Sequence, residues 1–225
     1  VNKHFVIIVA GGTGSRMQSN IPKQFIEING EAIIIKTIKV FLKYNPLINI
    51  IISVHPDFKN YLEKILTEHD LITAKLQIAL GGNTRFQSVK NGLALVDDQN
   101  AVVGIHDAAR PFVSIQTLKT CYDTAKEKGN AVPCVLVTET IRKIEGEINF
   151  LEDRSAFRII QTPQCFLSSK IKLAFAQKYN PIFTDDAAVL EYSGETINLV
   201  DGNVENIKIT TQFDLAVAKT LLNNE

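Results

Sequence analysis

The stretch Phe5-Val-Ile-Ile-Val-Ala10, running directly into Gly11-Gly-Thr-Gly-Ser-Arg-Met17 and on to Pro22-Lys23-Gln24, decides the fold of this chain. Six apolar residues closed by glycines read as a buried strand, and the turn behind them offers a row of backbone N–H groups of the kind that cradles phosphate. Arg16 and Lys23 add two cations. A dinucleotide fingerprint would need a third glycine where Met17 stands and an acidic residue after the second strand, where the chain has Val54-His55. A Walker A loop would need Gly-Lys-Ser/Thr after its four spacer residues, and neither Gly11 nor Gly12 is followed by it. What remains is a longer Gly-rich loop carrying Arg16, with Lys23 set by the preceding Pro22. The bland reading is a strand-to-helix turn with two solvated cations.

Outward from this loop, strand and helix patterns alternate. Helical spacing covers Ala32 to Leu42, Pro56 to Leu66, Thr84 to Val96 and Ser114 to Lys128. Buried strands are predicted at Ile48 to Val54, Lys75 to Leu80, Ala101 to Ile105 and Ala131 to Val137, with a short one at Gln24 to Ile28. This rhythm belongs to βαβ units around a mostly parallel sheet, an α/β architecture flanked by helices. Thr138 to Leu151 breaks it, alternating charged and apolar residues around Glu145-Gly146 as a β-hairpin does. An isolated hairpin is marginal in water, so a partner subunit is a candidate to pack on it. Phe157 to Gln161, a helix around Ser169 to Lys178, a capped helix from Asp185 to Tyr192, strands at Thr196 to Val200 and Ile207 to Ile209, and a helix from Phe213 to Leu222 complete the pattern. One domain over residues 1–225 with an arm at about 138–154 is the economical organisation.

The 225 residues can enclose one large core. Twenty-four basic and twenty-four acidic residues cancel, which speaks against a nucleic-acid coat or an acidic-membrane partner and makes any positive charge local. Three separated cysteines, Cys121, Cys134 and Cys165, form neither a CxxC pair nor an even set, so a reducing cytoplasm fits best. The apolar run at Phe5 to Ala10 is too short for a signal h-region or a membrane span.

His106-Asp-Ala-Ala-Arg110 falls at the end of the fourth strand, the edge where open α/β sheets bind ligands. Adjacent strand residues face opposite ways, so His106 and Asp107 serve different sides. Asp107 is the candidate Mg²⁺ carboxylate, with nucleotide phosphates supplying further oxygens; its alternatives are a cap or a salt bridge to Arg110. His106 reads as a packed core histidine. Gly81-Gly82-Asn83, with Arg85 and Ser88, permits close approach of a flat ligand or is a plain turn and helix cap. Lys208 is turned away from the face of Ile207 and Ile209 by period 2. Asp185 and Asp186 read as helix caps, a second metal site being the other option.

Together, Ala10-Gly-Gly-Thr-Gly-Ser-Arg-Met17, Pro22-Lys-Gln24, His106-Asp-Ala-Ala-Arg-Pro111, Thr162-Pro-Gln164, Thr184-Asp-Asp-Ala187 and Asn206-Ile-Lys-Ile-Thr210 resemble, in this order, the 2-C-methyl-D-erythritol 4-phosphate cytidylyltransferase family. The resemblance implies a Rossmann-like fold and a Mg²⁺-dependent homodimer that joins CMP from CTP to methylerythritol phosphate and releases pyrophosphate. It makes Arg16 and Lys23 transition-state stabilisers and Asp107 the Mg²⁺ ligand. Arg154 and Lys208 would position the acceptor, with Arg110, Thr140 and Thr162 nearby. Ala10, Gly11, Gly12, Thr13, Gly14 and Ser15 would hold CTP through their backbone. Gly82, Asn83, Arg85, Ser88 and Ala108 would complete that contact, although Asn83 replaces an Asp of some members. The arm would embrace the second subunit and bring Thr140 and Arg154 to its site. Ribitol 5-phosphate cytidylyltransferase is the nearest rival, but it more often resembles His-Asp-Ser-Val-Arg where this chain has Ala108-Ala109. A non-catalytic nucleotide-binding regulator is the rival of another class.

Overall fold

The structure is a computed structural model, which describes residues 3–12 and 21–223. Strand β1 (His4–Ala10) is an interior strand of the sheet. A 3-10 turn at Lys23–Phe25 leads to the two-residue ladder of β2 (Glu27–Ile28) and β3 (Glu31–Ala32), joined by Asn29 and Gly30 with φ of 54° and 76°. Two successive positive φ values make the tight hairpin turn for which Asn-Gly is suited. The strand expected from Gln24 therefore begins only at Glu27. Gln24 instead turns inward, its amide donating to the carbonyls of Ala10 at 2.7 Å and Gly12 at 3.1 Å, which no ladder position would allow.

Helix α1 (Ile33–Tyr44), β4 (Asn49–Val54), α2 (Lys59–Glu68), β5 (Leu76–Leu80), α3 (Arg85–Leu93), β6 (Val102–Asp107) and α4 (Ile115–Lys128) then alternate. β1 pairs in parallel with β4 and β6, and β4 with β5. Period 2 divides β1 between two cores. Val6, Ile8 and Ala10 join Ile34, Ile38, Phe41 and Leu118 on one face; Phe5 and Ile7 join Phe86, Val89, Phe166 and Phe175 on the other. Helices sit on both faces because each face of a buried parallel sheet needs an apolar cover.

The second half bends the sheet. β7 (Asn130–Leu136) is followed by the hairpin β8 (Arg142–Glu145) and β9 (Ile148–Leu151), a separate two-stranded ladder whose residues are all exposed. β10 (Arg158–Ile160) and β11 (Gln164–Leu167) run antiparallel to β7, and β11 also pairs with β6. Sequence reasoning missed β11 because Gln164-Cys-Phe-Leu167 is a short run without alternation. It is almost wholly buried between two strands. Helix α5 (Ser168–Ala174), α6 (Asp186–Tyr192), β12 (Leu199–Asp201) and α7 (Gln212–Leu222) close the chain, with β12 parallel to β7. α5 ends four residues before the predicted Lys178, and β12 starts later than the predicted Thr196.

The strand expected at Ile207 to Ile209 is absent from the described ladders. Among the described residues, its backbone reaches across through Ile209 N–H to the Ala109 carbonyl at 2.9 Å, too little for a ladder. Asn206 fixes the segment instead, donating from its side chain to the Thr162 carbonyl at 2.9 Å. Ile207 and Ile209 still pack together on Ile28, Ile33 and Ala218 beneath α7.

One close approach limits substitution. A Cβ on Gly104 in β6 would lie 2.6 Å from the Tyr122 hydroxyl oxygen, which donates to the Phe5 carbonyl at 2.7 Å. Gly104→Ala is expected to lower stability by about 1–3 kcal/mol through overpacking, read as a fall in the urea midpoint at unchanged slope. A midpoint equal to wild type would show that Tyr122 can yield freely.

Candidate active site

The carboxyl ends of β1, β4, β5 and β6 open on one cleft of about 580 Å³. Gly11, Gly12, Lys23, Gly82, Asn83 and Lys208 are on its walls, with Asp107 and Ala108 at the end of β6. The location follows from the topology, since loops leaving parallel strands at this edge splay apart. Thr13, Gly14, Ser15 and Arg16 fall outside the described residues, so the glycine loop is seen only at its root.

Ser88 knits the loop after β5. Its hydroxyl donates to the Thr84 carbonyl at 3.0 Å and accepts from Gly82 N–H at 3.1 Å, which shapes Gly81-Gly82 around the mouth. Thr84 caps α3 by accepting from Gln87 N–H. Asn83 stays exposed on the cleft wall.

Asp107 is the electrostatic focus. Lys208 Nζ lies 3.0 Å and Arg110 Nε 3.2 Å from its Oδ2, and Arg85 Nε lies 3.9 Å from its Oδ1. Burial pushes the carboxyl up, but the Arg85, Lys208 and Arg110 cations outweigh it and hold Asp107 well below the usual carboxylate range. The salt bridge to Arg110 is thus present, together with two further cations. Arg110 also donates to the Asn206 carbonyl at 2.7 Å and stands behind Asp107, away from the cleft lining.

His106 faces the other way, buried, with its ring edge-on to Phe41 at 5.0 Å. Thr162 Oγ1 accepts from Asp107 N–H at 3.1 Å and meets His106 Nδ1 at 3.1 Å; His106 Nε2 meets the Arg110 carbonyl at 3.0 Å. A carbonyl can only accept, so Nε2 carries the proton and the Thr162 hydroxyl donates to Nδ1. Burial pushes the His106 pKa down to about 4, leaving it neutral near pH 7. Thr162 therefore braces Asp107 from behind the cleft.

Two acids read alike in sequence take different places. Asp185 caps α6, accepting from Ala188 N–H at 2.8 Å and from the Gln164 amide at 2.7 Å. Asp186 is fully buried and takes Arg85 in a two-pronged pair, Nη1 to Oδ1 at 2.7 Å and Nη2 to Oδ2 at 2.6 Å. Burial pushes the Asp186 carboxyl up and Arg85 pulls against it. The signal available in sequence was the doubled acid itself, since one helix start needs one cap. Thr140 and Arg154 lie apart from the cleft, exposed on the arm, where Arg154 donates to the Thr138 carbonyl.

Among the described residues, no group of three or more His, Cys, Asp or Glu side chains is arranged to hold a metal, and no helix is long and apolar enough to cross a membrane. A lone carboxylate beside a glycine loop and a ring of cations nevertheless suits Mg²⁺ that takes its other oxygens from phosphates. Asp107 fits that pattern, because its neighbours keep it ionised at the cleft.

This sheet, with its cleft at the strand ends, has the architecture of an α/β nucleotidyltransferase. A family model described as 2-C-methyl-D-erythritol 4-phosphate cytidylyltransferase (IspD) matches residues 4–224, and the chain belongs to that family. The enzyme of that name from Bacteroides thetaiotaomicron is 41% identical over 220 residues, covering 98% of this chain and 100% of its own. The crystal structure of the Francisella tularensis enzyme aligns with a TM-score of 0.79 at 31% identity, covering 97% of this chain and 99% of that one. That of 4-diphosphocytidyl-2C-methyl-D-erythritol synthase from Anaerococcus prevotii aligns with a TM-score of 0.83 at 26% identity over 99% and 96% of the two chains. The reaction is transfer of CMP from CTP to 2-C-methyl-D-erythritol 4-phosphate with release of pyrophosphate, in isoprenoid precursor synthesis.

Proposed function

We propose that the cleft at the ends of β1 and β6 binds CTP against the glycine loop and that Asp107 and Lys208 divide it into a nucleotide half and an acceptor half. The observation that carries this reading is Lys208 Nζ at 3.0 Å from Asp107 on the wall that also holds Lys23 and Gly12. The acceptor phosphate is already anionic, so its oxygen can attack the α-phosphorus while the bond to the β-phosphate oxygen breaks. Alignment and charge neutralisation then suffice. No general base is needed, and His106, neutral and bonded at both nitrogens, is not placed to be one.

Lys23 and Arg16 meet the charge gathering on pyrophosphate. The backbone of Ala10 to Ser15 and residues Gly82, Asn83, Arg85, Ser88 and Ala108 hold the nucleotide, several of them by shaping the loops. Mg²⁺, held by Asp107, would screen the phosphate oxygens and act as a Lewis acid. Arg110 and Thr162 keep that carboxylate in place. The acceptor phosphate is held by Lys208 together with Arg154 and Thr140 of a second copy, delivered by the arm of a homodimer. The whole chain acts as one domain with this arm as its extension, and its three free buried thiols suit the cytoplasm.

Pyrophosphate release from CTP, measured with methylerythritol phosphate and with ribitol 5-phosphate in turn, tests the acceptor assignment. Release with the first and little with the second is expected. Lys208→Ser should raise the acceptor KM and lower kcat while leaving CTP affinity near wild type. An unchanged acceptor KM and kcat would remove Lys208 from the site.

A further inference from the structure

We infer that Asp186 is a positioning residue that keeps one oxygen of Asp107 open for the divalent cation, by holding Arg85 away from it. The inference rests on the reading of Asp107 as the metal carboxylate. The two oxygens of Asp107 are unequally committed. Oδ2 meets Lys208 Nζ at 3.0 Å and Arg110 Nε at 3.2 Å, whereas Oδ1 faces Arg85 Nε at 3.9 Å, beyond hydrogen-bond reach. Arg85 could close that gap, since a guanidinium prefers a two-pronged grip on a carboxylate. Its two terminal nitrogens are instead taken by Asp186 at 2.7 and 2.6 Å, and only the Nε edge looks toward Asp107.

Asp186 is itself held. It is fully buried, and the turn that bears it is pinned on both sides to β11. The Gln164 amide donates to Asp185 at 2.7 Å, and its oxygen accepts from Ala187 N–H at 2.8 Å. β11 lies beside β6 in the sheet, so the same framework sets both carboxylates that compete for Arg85. Helix capping and dipole effects explain Asp185. They do not explain an adjacent buried acid that spans to α3.

Asp186→Asn removes the charge at nearly constant shape and releases Arg85 to pair with Asp107 Oδ1. Mn²⁺ is the probe, its binding to the protein followed by water-proton relaxation with CTP at saturation. Asp186→Asn is expected to weaken Mn²⁺ binding roughly 10- to 100-fold, the usual effect of losing a group behind a metal ligand. With CTP titrated to saturation anew, since Arg85 also borders the nucleotide, Arg85→Gln/Asp186→Asn is expected to return Mn²⁺ binding to within about threefold of wild type, because the competing guanidinium is gone. A purely structural tie between α3 and α6 would leave the double variant as weak as the single, and that result overturns the inference, as does an unaltered Asp186→Asn. Circular dichroism checks folding. Should the single variant not fold, the double variant decides, since weakened Mn²⁺ binding in it counts against the inference. Asp107→Asn serves as reference: if it binds Mn²⁺ as wild type does, the metal reading fails and takes this inference with it. If Asp107→Asn loses Mn²⁺ and Asp186→Asn does not, the inference about Asp186 alone fails.

Discussion

Lys23→Ala is expected to lower kcat by about 10²–10³, equivalent to ~2.7–4 kcal/mol, the range seen when one preorganised donor to a developing anion is removed. Lys23 opens the 3-10 turn, and the adjacent Gln24 is bolted beneath the glycine loop through the Ala10 and Gly12 carbonyls. The backbone under Lys23 is therefore held before substrate arrives, which limits the reorganisation its charge would need as the bond to the leaving pyrophosphate breaks in the proposed reaction. Such a group acts on the transition state more than on bound CTP, so kcat and kcat/KM should fall together while the CTP dissociation constant stays within about threefold. Steady-state rates and CTP titration on the same preparation give both numbers. Turnover near wild type would dismiss Lys23 from the chemistry, and equal losses in affinity and rate would make it a simple binding residue.

Deleting residues 139–152 is expected to have a comparable effect on turnover and a further one on assembly. On β8 and β9, Ile144 and Leu151 are 67% and 68% exposed, with Ile148 and Phe150 beside them, an apolar load without a cover in a single chain. Exposed apolar patches of this kind mark interaction surfaces. If the arm joins two copies as proposed, the deletion should leave the chain monomeric by sedimentation and reduce pyrophosphate release to about 1% or less, because Thr140 would leave with the arm and Arg154 would lose its route to a second copy. CTP binding should survive. Ile148→Asp with Leu151→Asp, which keeps Thr140 and Arg154 in the chain, separates association from chemistry. A monomeric wild-type protein would refute the arrangement.

The centre of the sheet was legible because β1, β4 and β6 are apolar runs buried on both faces, and Phe5 to Ala10 could hardly be anything else. The helices were legible from spacing and from their caps, Thr84, Ser114 and Asp185 among them. Short elements were not. Gln24 resembles a strand residue until its amide is seen satisfying two carbonyls, and Gln164 to Leu167 is too short to have a period. At the site, opposite orientation of His106 and Asp107 follows from strand geometry alone. The pairing of Arg85 with Asp186 joins positions 101 residues apart, and no local pattern encodes it. Lys208 was placed by alternation, although the segment that carries it forms no ladder.

That last segment has a consequence for substitution. The proposed nucleotide half of the cleft grows from the sheet, so altering it disturbs the core shared by β1, β4 and β6. The proposed acceptor half hangs on two peripheral pieces, the arm and the stretch of chain around Asn206 to Ile209, which is held by side-chain ties to Thr162, Arg110 and Asp107 and a backbone bond to Ala109 rather than by a ladder. Substitutions in these two pieces are therefore expected to reach the acceptor half with less disturbance of the core than substitutions at the strand ends.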